Sequence, residues 1–257
     1  MHLIIDVGNS RTKLGFFDAH GLTRQGVVDN GDATALLAWI GVDVPERIAW
    51  GSVGAPNDVL LDRLRSMAPT LVITGATPSP MRSLYTTPAT LGADRLANAV
   101  AAAAMFPARS VLAIDLGTCI TYDLVRADGT YIGGAITPGQ RMRAKAMNAY
   151  SARLPLVDPG PEPTLFGSST HEALESGLHH GVLGEIKAFI AAAGHHSDAP
   201  CVVLTGGDAL RFARALKSGI FAHPFLTLEG YHLILLHNLG AAGAHGRPDG
   251  VGPGPAG

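Results

Sequence analysis

The chain has 257 residues, 47% of them hydrophobic and 16% charged, with a net charge of −2 when its 11 histidines are counted as neutral. That balance suits a folded globule of one large or two small domains and excludes a disordered chain. It supplies no basic field for nucleic acid or an anionic membrane, and no apolar stretch reaches the ~20 residues needed to cross a bilayer. Cys119 and Cys201 stand alone in apolar contexts, and Asp6 cuts the first apolar run, which removes a secretory signal. The expectation is a soluble, reduced, cytoplasmic protein with no nucleic-acid or membrane partner.

In chain order, residues 3–5 and 13–17 predict a hairpin, with Gly8 and Asn9 in its turn. Asp32 or Thr34 caps a helix over 35–40. Residues 47–50 and 71–73 have the length of buried strands and flank a helix over 59–67. Thr77-Pro78-Ser79-Pro80 is a loop. The Ala-rich run 94–106 is strongly helix-forming, stops at Pro107 and connects two halves. Strands at 111–114, 121–125 and 131–136 follow, then Thr137-Pro138-Gly139 and a basic helix over 140–149. A Pro-rich loop at 155–163, one or two helices over 170–193, a strand at 201–204 and a helix over 209–217 come next, and 232–238 closes the ordered part. The expected division is 1–107, 108–243 and a disordered Gly/Pro-rich tail over 244–257. Gly252, Gly254 and Gly257 in that tail match dinucleotide spacing but have no strand before them and no helix after them.

One phrase is written twice. Ile5-Asp6-Val7-Gly8-Asn9-Ser10 returns 109 residues later as Ile114-Asp115-Leu116-Gly117-Thr118-Cys119, and at that offset Thr12 meets Thr121. Each copy follows an apolar run and leads into a second one. A strand ending in Asp before a Gly turn suits a nucleoside triphosphate. The Gly admits a phosphate to the backbone, turn N–H groups and the hydroxyls of Ser10, Thr12 or Thr118 donate to it, and Asp6 and Asp115 hold Mg2+ or another hard cation. Thr205-Gly206-Gly207-Asp208 is a third Gly turn after a strand. The duplication predicts two halves with a ligand between them.

Other chemistries lack their residues. There is no GxxxxGK[ST], no HExxH and no Gly-x-Ser-x-Gly, and nothing near Cys119 would activate its thiol. Gly92-Ala93-Asp94-Arg95 stands at the mouth of a helix. On spacing alone Asp94 is an ordinary cap, although a carboxylate beside a guanidinium can also divide base and anion-gripping roles.

With these blocks in order, the chain from Met1 to about Asn238 resembles the type III pantothenate kinases of the actin, sugar kinase and Hsp70 superfamily. The matching signatures are Asp6-Val7-Gly8-Asn9-Ser10, Tyr85, Gly92-Ala93-Asp94-Arg95-Leu96-Ala97-Asn98-Ala99 and Asp115-Leu116-Gly117-Thr118. Gly133-Gly134-Ala135-Ile136, Pro138-Gly139, Ala152-Arg153-Leu154-Pro155, Gly167-Ser168-Ser169-Thr170 and Thr205-Gly206-Gly207 complete them. The resemblance implies an α/β fold of two ribonuclease-H-like, actin-like ATPase domains, with duplicated mixed sheets flanked by helices. It implies phosphorylation of pantothenate to 4'-phosphopantothenate by ATP with Mg2+, the first step of coenzyme A synthesis. By the same resemblance, Asp6, Val7, Gly8, Asn9, Ser10, Arg11, Thr12 and Lys13 form the first phosphate loop, and Thr118 is a second ATP contact. For Lys13, a solvated strand-end position fits as well. Asp115 binds K+ or NH4+, Asp94 accepts the proton, and Tyr85, Gly92, Ala93, Arg95 and Thr170 join Asp94 at the pantothenate site. A homodimer is implied, with the partner subunit completing that site. Ser10, Cys119 and Ser151 stand where the family more often has Thr, Ala and Thr. Another small-molecule kinase on this fold and a regulatory accessory protein of the family are the alternatives.

Overall fold

The computed structural model describes residues 1–54, 58–160, 162–196, 199–216 and 219–244. The tail expected from residue 244 lies outside the described residues beyond Ala244. Strand β1 (His2–Val7) pairs antiparallel with β2 (Arg11–Asp18), which pairs antiparallel with β3 (Gly21–Asp29). Helix α1 (Ala33–Ile40) begins at Asp32, whose carboxylate accepts from the Ala35 amide at 2.8 Å and satisfies one N–H that the first turn leaves open. Strands β4 (Arg47–Ser52) and β5 (Thr70–Ile73), separated by α2 (Asp58–Met67), continue the sheet in parallel and give the order β3-β2-β1-β4-β5.

The short β6 (Arg82–Ser83) and helix α3 (Ala93–Met105) lead into the second half. There β7 (Val111–Leu116), β8 (Cys119–Val125) and β9 (Thr130–Pro138) are antiparallel neighbours. Helices α4 (Gln140–Ala149) and α5 (Thr170–His196) follow, then β10 (Cys201–Thr205), α6 (Ala209–Leu216), β11 (Ile220–Ala222) and α7 (Leu226–Ala244). The second sheet runs β11-β10-β7-β8-β9-β6. From β9 to β11 it repeats the first sheet strand for strand, with two antiparallel pairings followed by two parallel ones. These are the duplicated mixed sheets flanked by helices that the family resemblance implied.

Alternation along the strands stacks the layers. Leu3, Ile5 and Trp50 face α1 and α2, whereas Ile4 and Ala49 face α3 and α7. In the second sheet Val111 and Ala113 face the same two helices from the other side, while Leu112 and Ile114 pack towards α5 and α6. Helices α3 and α7 therefore form the layer between the sheets. The alanines of α3 fit it for that place: Ala97, Ala99, Ala101 and Ala102 are fully buried, and a Cβ on Gly230 of α7 would collide with the Ala97 backbone.

The Ala-rich segment is thus a central helix as well as a link. Two elements cross the expected division near residue 107. Strand β6 pairs with β9 in the second sheet, and α7, from the far end of the chain, packs on β1, β2 and β4 of the first. Among the described residues, no helix is long and apolar enough to cross a membrane.

Candidate active site

The same alternation aims the repeated aspartates. Asp6 shares the face of Ile4 and Asp115 that of Ala113, so both point into the layer between the sheets, where α3 begins. Asp94 stands in the first turn of α3 and accepts a hydrogen bond from the Arg95 amide at 2.8 Å. All three carboxylates line one cleft of about 620 Å³, together with Gly8, Asn9, Ser10, Arg11, Lys13 and Thr118. The two turns touch across it, with the hydroxyls of Ser10 and Thr118 3.3 Å apart.

Each turn is held by a segment outside the repeat. Asn30 donates to the Gly8 carbonyl at 2.6 Å and accepts from the Thr12 hydroxyl at 2.8 Å. In the second half, the Gly139 amide donates to the Thr118 carbonyl at 3.0 Å, and the Asp208 amide donates to the Leu116 carbonyl at 3.2 Å. Gly206 closes against Asp115 in the left-handed region, at φ +90°. A side chain there would be strained and would also strike the Asp115 carboxylate.

The copies differ in register. Val7 pairs with Thr12 and Asp6 with Lys13, but Leu116 pairs with Ile120 and Asp115 with Thr121. The first turn is one residue longer, so the lysine takes the place opposite its aspartate that a threonine takes in the second copy. Val7 and Thr12 turn to the far side of the sheet and line a separate cavity of about 280 Å³ with Asn30 and Trp50.

Burial pushes the Asp6 carboxylate up to about 7; Lys13 pulls it down, and Asp94 and Asp115 push it further up. Burial likewise takes Asp115 up to about 6, against Lys13 and a hydrogen bond from the Asn98 amide at 3.2 Å. Asp94 is also raised by burial, opposed by the Arg95 amide and guanidinium. Three carboxylates thus crowd a buried cleft in which Lys13 lowers all three, a setting that favours further cations. The donors are the hard oxygens that Mg2+ and K+ take. Beside them the Thr205 hydroxyl, on the strand position paired with Asp115, is buried without a hydrogen-bond partner. No group of three or more His, Cys, Asp or Glu at metal-holding distance occurs among the described residues. A divalent ion here would draw other ligands from phosphate and water, as Mg2+ commonly does.

The remaining expected residues lie elsewhere. Arg95 is 4% exposed and is engaged with Asp123 behind the cleft. Tyr85 stacks on Tyr131, with ring centroids 6.1 Å apart, and sits over the Arg95 guanidinium at 5.7 Å. Gly92 and Ala93 open α3, and the Cβ position of Gly92 is filled by the Asp94 carboxylate. Thr170 is exposed at the start of α5.

Sequence reasoning missed Arg141 and Lys145, which line the cleft from α4 one helical turn apart. The basic composition of that helix was their one signal. Cys119 and Thr227 also line the cleft, and Thr227 supports Asn98 through a 2.9 Å bond.

A family model described as type III pantothenate kinase matches residues 2–192 of the chain. The type III pantothenate kinase of Porphyromonas gingivalis is 39% identical over 242 residues, covering 93% of this chain and 99% of that protein. That of Bacteroides fragilis is 40% identical over 242 residues, with the same 93% and 99% coverage. Among solved structures, a Campylobacter jejuni protein described as a Baf family transcriptional activator superposes with a TM-score of 0.61 at 20% identity, over 93% of this chain and 99% of that one. The activator of the 2-hydroxyisocaproyl-CoA dehydratase from Clostridium difficile, with bound ADPNP, gives 0.58 at 11% identity, over 97% and 99%. At those identities the two structures establish the fold alone.

Proposed function

The chain belongs to the type III pantothenate kinase family, and we propose that it transfers the γ-phosphoryl group of ATP to the primary hydroxyl of pantothenate, giving 4'-phosphopantothenate for coenzyme A synthesis. The observation that carries this reading is the meeting of Asp6, Asp94, Asp115 and Lys13 in one cleft between two bridged Gly turns.

Phosphoryl transfer passes through a loose transition state, so the protein's work is mainly positioning and charge neutralisation. The first turn, with Gly8, Asn9, Ser10 and Arg11, offers backbone and side-chain donors to the phosphates, and Thr118 offers a hydroxyl from the other side. Lys13 is placed to balance negative charge that grows on the transferring group. Asp94 accepts the proton of the attacking hydroxyl. Burial raises its basicity, and its own helix turn fixes its carboxylate. Asp6 would hold Mg2+ and Asp115 would hold K+ or NH4+, and the chemistry such cations supply is neutralisation of phosphate charge.

A homodimer and a cytoplasmic setting complete the proposal. The test is ADP release with pantothenate, with a panel of sugars and with no acceptor, each with and without K+. Pantothenate-dependent ADP release is expected. Its absence under every cation condition overturns the reading, and a sugar preferred over pantothenate makes the chain another kinase on this scaffold.

A further inference from the structure

Behind Asp94 lies a buried polar unit that the phosphate chemistry leaves unused. Arg95 donates to Asp123 Oδ1 twice, from Nε at 3.0 Å and from Nη2 at 2.7 Å. Nη2 also reaches the Tyr131 hydroxyl at 3.2 Å, and that hydroxyl donates to the same Asp123 oxygen at 2.7 Å. Asp123 is 0% exposed and Arg95 4%. A charge pair this deep is costly to assemble, and much cheaper apolar packing could fill the same volume.

The surroundings are shaped around the pair. A Cβ on Gly134 would lie 2.8 Å from Arg95 Nη2 and would collide with the Tyr122 carbonyl, so the guanidinium occupies space that a side chain on β9 would need. Burial works against the charge on the guanidinium, Asp123 more than offsets it, and the Tyr85 ring covers the guanidinium at 5.7 Å. Nε and Nη2 are spent on Asp123 and Tyr131, and Nη1 makes no hydrogen bond among the described residues, which leaves that corner of the planar fork for another acceptor. Arg95 follows Asp94 directly in the first turn of α3, so fixing one fixes the neighbourhood of the other.

We infer that Asp123, with Tyr131, is a positioning residue for the acceptor. It holds Arg95 so that the open edge of its guanidinium meets the carboxylate of the molecule whose hydroxyl Asp94 deprotonates. This rests on the proposed pantothenate reading, because pantothenate carries such a carboxylate. It also gives a physical reason why Gly133-Gly134 and Gly92-Ala93-Asp94-Arg95 occur in one chain: the glycine makes room for the arginine.

The experiment is steady-state kinetics on the full chain for wild type, Asp123→Asn, Arg95→Gln, the double variant and Tyr131→Phe, with melting temperature recorded for each. Losing one charge-assisted hydrogen-bond partner is expected to raise KM for pantothenate by roughly tenfold in Asp123→Asn, while KM for ATP changes by less than about twofold. In the Arg95→Gln background, Asp123→Asn adds little further loss of kcat/KM, since both act through one group. Tyr131→Phe keeps the ion pair and moves KM for pantothenate in the same direction by about threefold, and it carries the test if Asp123→Asn does not fold. The inference is overturned if the two KM values rise together, if the losses in the double variant add, or if a folded Asp123→Asn or Tyr131→Phe enzyme keeps the wild-type KM for pantothenate. A wild-type chain with no pantothenate-dependent turnover overturns the proposed function itself, which separates the two failures.

Discussion

The β1–β2 turn and the β7–β8 turn share Asp, Gly and strand order, yet they set different partners against their aspartates: Lys13 faces Asp6, and Thr121 faces Asp115. One extra residue in the first turn produces this difference. Lys13 meets Asp6 within its own hairpin and acts on Asp115 from the other turn, where the amide of Asn98, itself held by Thr227, adds a hydrogen bond. Duplication preserved the backbone and the carboxylates, and a change of one residue in loop length changed the residue that stands opposite each. In the proposed reading the first turn meets phosphate and the second holds a cation with oxygen ligands.

The largest expected effect tests whether either repeated aspartate takes the proton. Asp94→Asn should lower kcat by ~10²–10⁴ while nucleotide binding, followed by calorimetry, stays intact. Near-normal turnover in that variant would return the base role to Asp6 or Asp115 and break the division of labour. A smaller but still large effect separates the turns themselves. Lys13→Met should cost on the order of 10² in kcat/KM for ATP, whereas Thr121→Val, at the matching register position, should cost less than about tenfold. Equal losses would mean that the shifted register has no electrostatic consequence.

Stability against pH gives the third comparison. Asp6 and Asp115 are raised to about 7 and about 6 from an ordinary 3.8, so the folded chain binds more protons than the unfolded chain between those values. Their contribution is therefore fully present below the unfolded pKa and is lost as pH rises through about 6 and 7. The melting temperature of the ligand-free protein should fall between about pH 4 and about pH 8, by an amount on the order of 5 °C. Asp6→Asn should flatten that fall more than Asp115→Asn does, because Asp6 is raised further. A melting temperature that climbs through this range in wild type, with both variants parallel to it, would contradict the assigned charges. The smallest effect is expected for Ser10→Ala, which removes the hydroxyl bridge between the turns and should cost about 1 kcal/mol or less in chemical denaturation.

Much of this site was legible before any coordinates. Asp6, Asp115 and their glycines announced themselves by repetition, whereas Asp94, an ordinary cap on spacing alone, was singled out by the family resemblance. Arg141 and Lys145 were not legible as cleft residues, because a basic helix is ordinarily a solvated face and only packing decides which side it turns inward. Strands β3, β6 and β11 were also missed. β3 is largely exposed and β6 has two residues, so neither carries an apolar run, and β11 has only three.

The sequence by itself determined the duplication, the position of most helices and the two repeated aspartates, which follow from local pattern and spacing, while the α/β class and the role of Asp94 came through the family resemblance. Tertiary structure decided three other things. Hydrogen-bond register put Lys13, and not Thr12, opposite Asp6, because the length of a turn sets pairing and the offset of a repeat does not. Long-range packing carried α7 back to the first sheet and made the alanine helix the centre of the molecule. Burial tied the Arg95 guanidinium to Asp123, a pairing across 28 positions that no local motif encodes.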